Sequence, residues 1–553
     1  MDLRPPADAI AITGFMGTGK TTVARIVAER LGLDVVDTDE LIEANAGTPI
    51  PAIFAADGEE YFRDLESAAL AQALGRGRAV ISTGGGMLLR PSNLEALRRA
   101  GPIVCLTASP DAIMRRVGAD DSRPLLQVAD PAGRIAELLA ERQHAYAQAD
   151  AHVDSTELPA EQVAAEVLRL LADDPRARWL TGARTTIPVT LPDARYAITV
   201  GAGVLDEVGA LCPPRERGVR AALVTTDRIA ALLADGTMAA LRACGWEPHP
   251  MVVPDGEASK SLVVLGELYE QMAAAGLDRG STVFALGGGV VGDLAGFAAA
   301  TWMRGIDLIH LPTTLLAQVD SSIGGKTAID LSGGKNLVGA FHQPVAVVGD
   351  VGTLTTLPPE ELRSGLGEII KHACCFDGAM FEFLERRAGT GLVDDPPALE
   401  YLVSRNCQIK AGVVEQDPHE HGVRAVLNYG HTVGHALERA AAGWSLRHGE
   451  VVGTGIVAES RLAAWLGVSD EETALRQERL VAAWGLPTCV SGIDEDAALA
   501  ALARDKKIVS GRLRLPLVPE VGSFRIVEDV SIDLVRRAVR SVLAQGRRQD
   551  ARR

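Results

Sequence analysis

The chain reads as an α/β protein with two successive sheet-forming regions and a mainly helical third. Three observations carry this. From Ala9 to about Leu171, short apolar runs (AIAIT, Ala79 to Ser82, Ile103 to Leu106) alternate with helical patterns, the signature of a parallel sheet wrapped by helices. A second such pattern begins at Ile187 and runs through AALVTTD and STVFALGGG to about Asp350. After Leu357 strand signals fade, and Ala/Leu/Glu/Arg-rich segments of 3.6-residue periodicity take over, apart from a small ribbon at Arg512 to Val518.

Of 553 residues, 47% are hydrophobic and 23% charged, enough apolar surface for several cores and, at ~150 residues each, roughly three or four domains. The expected divisions are 1–172, a linker at 173–185 where periodicity gives way to charge, Pro and Gly, then 186–351, 352–545, and a polar tail at 546–553. A net charge of −17 lacks the broad basic surface that nucleic acid or an anionic membrane requires. Phosphate sites must therefore be local clusters of Lys, Arg and backbone N–H groups. No stretch approaches the roughly 18 apolar residues of a membrane span, and the N-terminus leaves no room for a signal peptide. Seven scattered cysteines without C-x-x-C spacing read as reduced thiols, so the expected location is cytoplasmic.

In the first region, GFMGTGKT (Gly14 to Thr21) follows the strand AIAIT and opens a helix, the context that the phosphate-binding P-loop needs. Gly17, Thr18 and Gly19 offer backbone N–H groups to ATP phosphates, with Thr22 beside them. Lys20 reaches the β/γ oxygens, and the Thr21 hydroxyl coordinates Mg²⁺. Asp37 and Asp39 follow a second apolar run. Strand alternation puts both carboxylates on one face, suiting Mg²⁺ hydration and a substrate hydroxyl, although the pair equally suits a helix cap. Arg63, the glycines Gly84 to Gly86, Arg116, Arg123 in a Gly/Asp-rich loop and Arg142 are weak signals singly. Together, in this order and spacing, they resemble shikimate kinase across residues 9–171. The resemblance implies that Asp39, Arg63, Gly85 and Arg142 bind shikimate, with Asp39 the base at its 3-hydroxyl. It also implies that Arg116 stacks on adenine, Arg123 reaches the phosphates from a lid, and Asp37 holds Mg²⁺ through water. Another small-molecule kinase would share the loop, but two guanidiniums suit a carboxylated acceptor better than a neutral sugar.

In the second region LGGGVVGD (Leu286 to Asp293) follows the strand STVFA and opens a helix, a Rossmann-like turn where backbone can approach a pyrophosphate; a purely structural Gly-rich turn reads equally well. Asp255 to Lys260 supply a carboxylate and an ammonium after the strand MVVP. The run Leu311 to Pro344 holds Thr313, Thr314, Asp320 and two Gly-Gly-Lys turns ending at Lys326 and Lys335, as a phosphate-bearing ligand needs. In the helical third, His431 and His435 stand at i and i+4, the spacing of a zinc pair, with Thr432 where a zinc protease has Glu. Taken alone they are either two ligands or two core histidines.

From residue 185 to about 540 the sequence resembles 3-dehydroquinate synthase. The resemblance implies a mainly helical metal-binding domain in which Glu368, His431 and His448 hold Zn²⁺ or Co²⁺, leaving His435 as a substrate and proton-transfer residue beside Asp320 and Lys326. It places NAD against Asp255, Gly256, Glu257, Ala258, Ser259, Lys260, Gly289, Val290, Val291, Gly292, Asp293, Thr313, Thr314, Lys326, Lys335, Thr353, Leu354, Thr355 and Thr356. It places the substrate against Arg304, Lys326, Asn336, Lys371, Lys410, Glu420, Arg424, Asn428, His435 and one of Lys506 and Lys507, for which Lys506 is taken. One departure is Asp417-Pro418 where the family commonly has Asp-Glu, and Pro418 is expected to alter a loop, not the chemistry. The implied reaction oxidises C5 of 3-deoxy-D-arabino-heptulosonate 7-phosphate, eliminates phosphate, returns the hydride and closes the carbocycle by an aldol step. A homodimer through this half, with Arg304 acting across the boundary, is also implied. A related sugar-phosphate cyclase or a polyol dehydrogenase are the alternatives, and a neutral polyol would not need Lys326, Lys410 and Arg424. A half turned into a regulatory nucleotide module would have lost Lys20, Asp39, Glu368 or His431, and all four are present.

Overall fold

A computed structural model describes residues 3–117, 126, 128, 130–182, 184–215, 218–420, 422–441, 446–503, 508–509 and 512–543. The chain divides into two compact units, Met1–Ala183 and Arg184–Arg553.

The first unit is built on β1 (Ala9–Gly14), β2 (Asp34–Asp37), β3 (Ala79–Ser82), β4 (Ile103–Thr107) and β5 (Ala151–Asp154), in the order β2-β3-β1-β4-β5. All pairs are parallel. Central β1 is buried at every residue, which is why it reads as a continuous apolar run. Ile10, Ile12, Val80 and Val104 pack on Val23 and Val27 of helix Lys20–Leu31 and on Val163 and Val167 of helix Ala160–Asp173. Ala11, Ile103 and Cys105 face the other way, onto Leu97, Ile135 and Leu138. Residues 174–182, where sequence periodicity fails, are packed on this unit and are not a free linker. The Trp179 indole is buried and donates to Arg4 O at 2.9 Å, a contact too long in sequence for periodicity to reveal.

In the second unit, β6 (Thr185–Thr190), β7 (Arg195–Gly201), β8 (Arg220–Thr226), β9 (Glu247–Val253), β10 (Thr282–Gly287), β11 (Asp307–Pro312) and β14 (Ala346–Asp350) form a sheet in the order β6-β7-β14-β11-β10-β8-β9. Only β6 runs antiparallel to its neighbour. From β8 the chain moves outward to β9, then returns to place β10 on the other side of β8. That reversal is the topological switch point where ligands of open α/β sheets bind. A hairpin, β12 (Lys326–Leu331) with β13 (Gly334–Phe341), stands apart from the sheet. Beyond it helices Pro359–Phe376, Gly378–Arg387, Pro396–Gln416, His431–Ala440, His448–Trp465, Glu471–Ala483, Glu495–Ala503 and Ile532–Ser541 dominate. The ribbon foreseen near Arg512 is present: β16 (Arg512–Leu517) pairs with β15 (Ile508–Val509) and β17 (Arg525–Ser531). All seven cysteines are free thiols. Among the described residues no helix is long and apolar enough to cross a membrane.

Candidate active sites

In the first unit the loop after β1 turns through left-handed Gly17 (φ +76°) and Gly19 (φ +91°) into helix Lys20–Leu31, so its N–H groups converge where an anion meets the helix N-terminus. Lys20 Nζ lies 3.1 Å from Phe15 O on the floor of the loop. The Thr18 hydroxyl donates to the same carbonyl at 2.8 Å, and Thr22 is exposed in the first helical turn. Thr21 Oγ1 donates to Asp37 Oδ2 at 2.7 Å and lies 3.4 Å from Ser82 Oγ. These three oxygens, from a helix and two strand ends, fit the hydrated shell of Mg²⁺. Ser82 carried no signal in the sequence beyond its place at the end of β3.

Asp37 ends β2 and caps helix Thr38–Ala46, its Oδ1 accepting from Asp39 N at 2.9 Å. Asp39 is therefore helical, and strand alternation does not relate the two carboxylates. Around Asp39, the Arg63 guanidinium bonds buried Glu66 at 2.5 Å and Glu59 at 2.7 Å. Burial and the nearby Asp39 raise the Glu66 carboxyl against the pull of Arg63 and Arg142. Arg142 Nη1 reaches Gly85 O at 3.3 Å, Tyr146 Oη donates to the same carbonyl at 2.7 Å, and the Arg142 guanidinium lies 5.4 Å from the Phe15 ring centre. The glycines make room: a Cβ on Gly84 would lie 2.6 Å from Glu66 Oε1 and 2.8 Å from Asp39 Oδ1, and one on Gly86 1.8 Å from Arg63 Nη1. Arg116 ties the loop to the turn after β5, donating to Gly17 O at 3.2 Å and Ser155 O at 2.6 Å. Arg123 lies outside the described residues.

In the second unit three helices bring Glu368, His431 and His448 together. Both imidazole Nε2 atoms face Glu368 Oε1, at 3.4 Å for His431 and 3.1 Å for His448, and one ligand atom from each residue lies within 4.8 Å of the others. His431 Nδ1 meets Tyr429 O at 3.1 Å, which leaves Nε2 for a metal. One carboxylate with two imidazoles is a donor set that fits Zn²⁺ or Co²⁺. Burial opposes ionisation of Glu368, but Lys371, whose ammonium pairs with Oε2, and His431 hold its carboxyl well below the usual range. His435 stands beside this set, its ring 5.1 Å from that of His431. The i, i+4 pair is thus brought together but divided between two close sets, His431 standing with Glu368 and His448, and His435 with Glu438 and His448.

Next to the cluster, Lys410 Nζ pairs with Asp320 Oδ1 at 2.6 Å. Burial disfavours the Asp320 carboxylate, yet Lys410 brings its pKa down to about 2. Burial lowers the Lys410 ammonium despite Asp320. Lys326 pairs with Glu420 at 2.6 Å, and Asn428 donates to Glu420 at 3.4 Å. The Arg424 guanidinium donates to Pro418 O at 2.7 Å, and Asp417 Oδ2 accepts from Gly422 N and Arg424 N, so the loop around Pro418 keeps Arg424 in place. Arg304 sits exposed on a left-handed turn (φ +74°), and its guanidinium makes no hydrogen bond or ion pair among the described residues. Lys506 lies outside them.

On the sheet side, Gly288 caps helix Gly289–Thr301, which carries Val290, Val291, Gly292 and Asp293. Cβ atoms on Gly288 and Gly289 would lie 3.1 and 3.0 Å from Thr314 and Ser321. Buried Lys260 joins Asp293 at 2.8 Å to Asn336 at 2.6 Å, so a residue expected at NAD touches one expected at substrate. Lys335 pairs with Glu438 at 3.4 Å and lies 3.9 Å from Glu257. Asp255 and Gly256 precede the short turn Glu257–Ser259, which includes Ala258. Thr353 and Leu354 are buried, the Thr353 hydroxyl on Asp350 O at 2.7 Å; Thr355 and Thr356 bond back within their own turn. The hydroxyls of Thr225 and Thr226, ending β8, and of Thr313, just after β11, are buried with no hydrogen-bond partner among the described residues. They flank the Gly-rich turn at the carboxyl ends of the strands, where a dinucleotide would satisfy them, and this fits NAD. Thr225 and Thr226 were missed in the sequence, where a polar Thr-Thr-Asp after the apolar AALV was the available signal.

A P-loop unit with an acceptor pocket, joined to a Rossmann-like unit with a carboxylate–histidine cluster, defines a two-part enzyme. Family comparison matches residues 16–172 to shikimate kinase, 250–364 to the 3-dehydroquinate synthase N-terminal model and 365–508 to its C-terminal model. A 3-dehydroquinate synthase from Symbiobacterium thermophilum is 49% identical over 349 residues, 63% of this chain and 97% of that protein. Among solved structures, a 2-deoxy-scyllo-inosose synthase complexed with carbaglucose-6-phosphate, NAD+ and Co2+ is 27% identical, with a TM-score of 0.59 over 65% of this chain and 100% of that one. A 2-epi-5-epi-valiolone synthase from Streptomyces hygroscopicus with NAD+ and Zn2+ bound is 29% identical, with a TM-score of 0.58 over 64% and 98%. The chain belongs to the 3-dehydroquinate synthase family and carries a shikimate kinase domain ahead of it, a kinase and a lyase of the shikimate pathway in one chain.

Proposed function

We propose that the first unit transfers the γ-phosphoryl of MgATP to the 3-hydroxyl of shikimate. Lys20 and the loop N–H groups hold the phosphates, Thr21 and Asp37 hold Mg²⁺ with Ser82 beside them, and Arg116 braces the nucleotide side of the loop. Arg63 and Arg142 take the shikimate carboxylate, Gly85 lets the ring approach, and Asp39 accepts the hydroxyl proton. Little covalent chemistry is asked of the protein, because phosphoryl transfer depends on positioning and charge. Arg123 is proposed to reach the phosphates.

The second unit is proposed to convert 3-deoxy-D-arabino-heptulosonate 7-phosphate to 3-dehydroquinate. The observation that carries this is the convergence of Glu368, His431 and His448 beside the cationic pair Lys410 and Arg424. When bound, NAD takes and returns a hydride, and a divalent metal held by those three residues acidifies the hydroxyl being oxidised. Lys326, Lys410 and Arg424 bind the phosphate and carboxylate, giving up contacts with Glu420, Asp320 and Pro418 O as they do so. His435 moves the proton beside the metal ligands. Lys371 holds Glu368 ionised, while Asn336, Asn428 and Lys506 orient the substrate. The proposed setting is the cytoplasm. A homodimer through this unit is proposed as well.

Two parallel assays on metal-loaded protein test both readings. Phosphate release from the heptulosonate phosphate with catalytic NAD and ADP formation with shikimate and MgATP are both expected. Absence of either overturns that unit's assignment.

A further inference from the structure

We propose that Glu459 is a positioning residue for the metal ligand His431, locking the helix that carries it onto the helix that carries His448. The inference rests on the metal reading of Glu368, His431 and His448. Helix His431–Ala440 starts at Gly430, which adopts φ +77° and supplies no side-chain cap. The usual Ser, Thr or Asp cannot stand there: a Cβ on Gly430 would lie 2.9 Å from both Ile456 Cγ1 and Val452 O of the neighbouring helix. The opposing Gly455 is equally constrained, because its Cβ would lie 1.8 Å from Gly430 O. Contact this close leaves the first-turn N–H groups buried and without an ordinary cap.

Glu459, on helix His448–Trp465 and wholly buried, supplies the missing acceptor from across the contact. Its Oε2 accepts from Gly430 N at 2.8 Å, and its Oε1 accepts from Thr432 N at 3.2 Å and Val433 N at 3.3 Å. A carboxylate so placed also meets the positive end of the helix dipole. His431 is the first residue of the turn thus held, and His448 opens the helix doing the holding. The cap therefore fixes the height of one imidazole against the other. Ser364 makes the analogous tie for the third ligand, accepting from Gly449 N at 3.1 Å, one turn before Glu368 on its own helix.

The test measures Zn²⁺ affinity of the metal-stripped full chain by competition with a chromogenic chelator, and records the visible spectrum of the Co²⁺-loaded chain. Glu459→Gln, which keeps one acceptor but loses the charge, is expected to weaken Zn²⁺ about 10- to 100-fold and to alter the Co²⁺ bands while circular dichroism stays native. A folded variant with wild-type Zn²⁺ affinity and an unchanged Co²⁺ spectrum overturns the proposal, whatever its melting temperature. If Glu459→Gln does not fold, Glu459→Asp, which retracts the carboxylate but keeps its charge, carries the same test and the same two outcomes. His431→Ala separates the two readings. Undiminished Zn²⁺ binding by that variant overturns the metal site itself and this proposal with it, whereas loss of binding there with wild-type binding in Glu459→Gln overturns only the role of Glu459.

Discussion

Asp320 shows how one charge can be set by its surroundings. Burial alone would raise its carboxyl pKa, but Lys410 brings it to about 2, against an ordinary value of 3.8. A depressed folded pKa means that the ionised carboxylate stabilises the native state above about pH 4, and that this contribution is lost as pH falls toward about 2. Asp320→Asn should therefore show a shallower loss of stability than wild type between pH 4 and pH 2, measured as urea midpoints of the second unit's transition. Equal slopes would mean that the pair does not govern this titration. Residues of this kind were legible in part. Asp320 and Lys326 stand close together in a dense motif, whereas Lys410 comes 90 positions after Asp320 and only the fold joins them. Glu459 was not legible, because a Glu in a largely apolar helix resembles any solvated helical residue until the N–H groups it accepts from across the helix contact are known.

At the scale of elements, the P-loop was readable because strand, turn and helix are contiguous and the spacing of its glycines is the mechanism. The acceptor pocket was harder, since it joins helix Ile50–Leu74, the turn after β3 and helix Pro131–Tyr146. Strand alternation does not relate Asp37 to Asp39, because β2 ends at Asp37, where the side chain caps the next helix. The turn after β3 gives a direct test of the pocket. Gly86 has ordinary negative φ, so alanine is excluded there by space alone, its Cβ falling on the Arg63 guanidinium. Arg63 is held by Glu66 and Glu59 and has little freedom to retreat. Gly86→Ala should raise KM for shikimate about tenfold, about 1.4 kcal/mol of lost binding, and leave KM for MgATP unchanged. Steady-state kinetics with each substrate varied in turn checks this, and an unchanged shikimate KM would remove Arg63 from the acceptor site.

For the whole molecule, the boundary at Ala183/Arg184 separates two units, and the expected site residues that the structure describes fall wholly within one or the other. The phosphate loop, its metal oxygens and the acceptor pocket all come from the first, and the dinucleotide turn and the carboxylate–histidine cluster from the second. Each unit also has its own sheet and cores. Two transitions are therefore expected in differential scanning calorimetry, because cooperativity follows shared cores. A ligand that binds only the native state raises the transition of the unit it occupies. MgATP should accordingly move one transition and NAD the other. Lys20→Ala should abolish ADP formation with the rate of phosphate release from the heptulosonate phosphate unchanged, and His431→Ala should do the reverse. Loss of both activities in either variant, with both transitions intact, would show that the two sites are coupled and that each unit does not work alone.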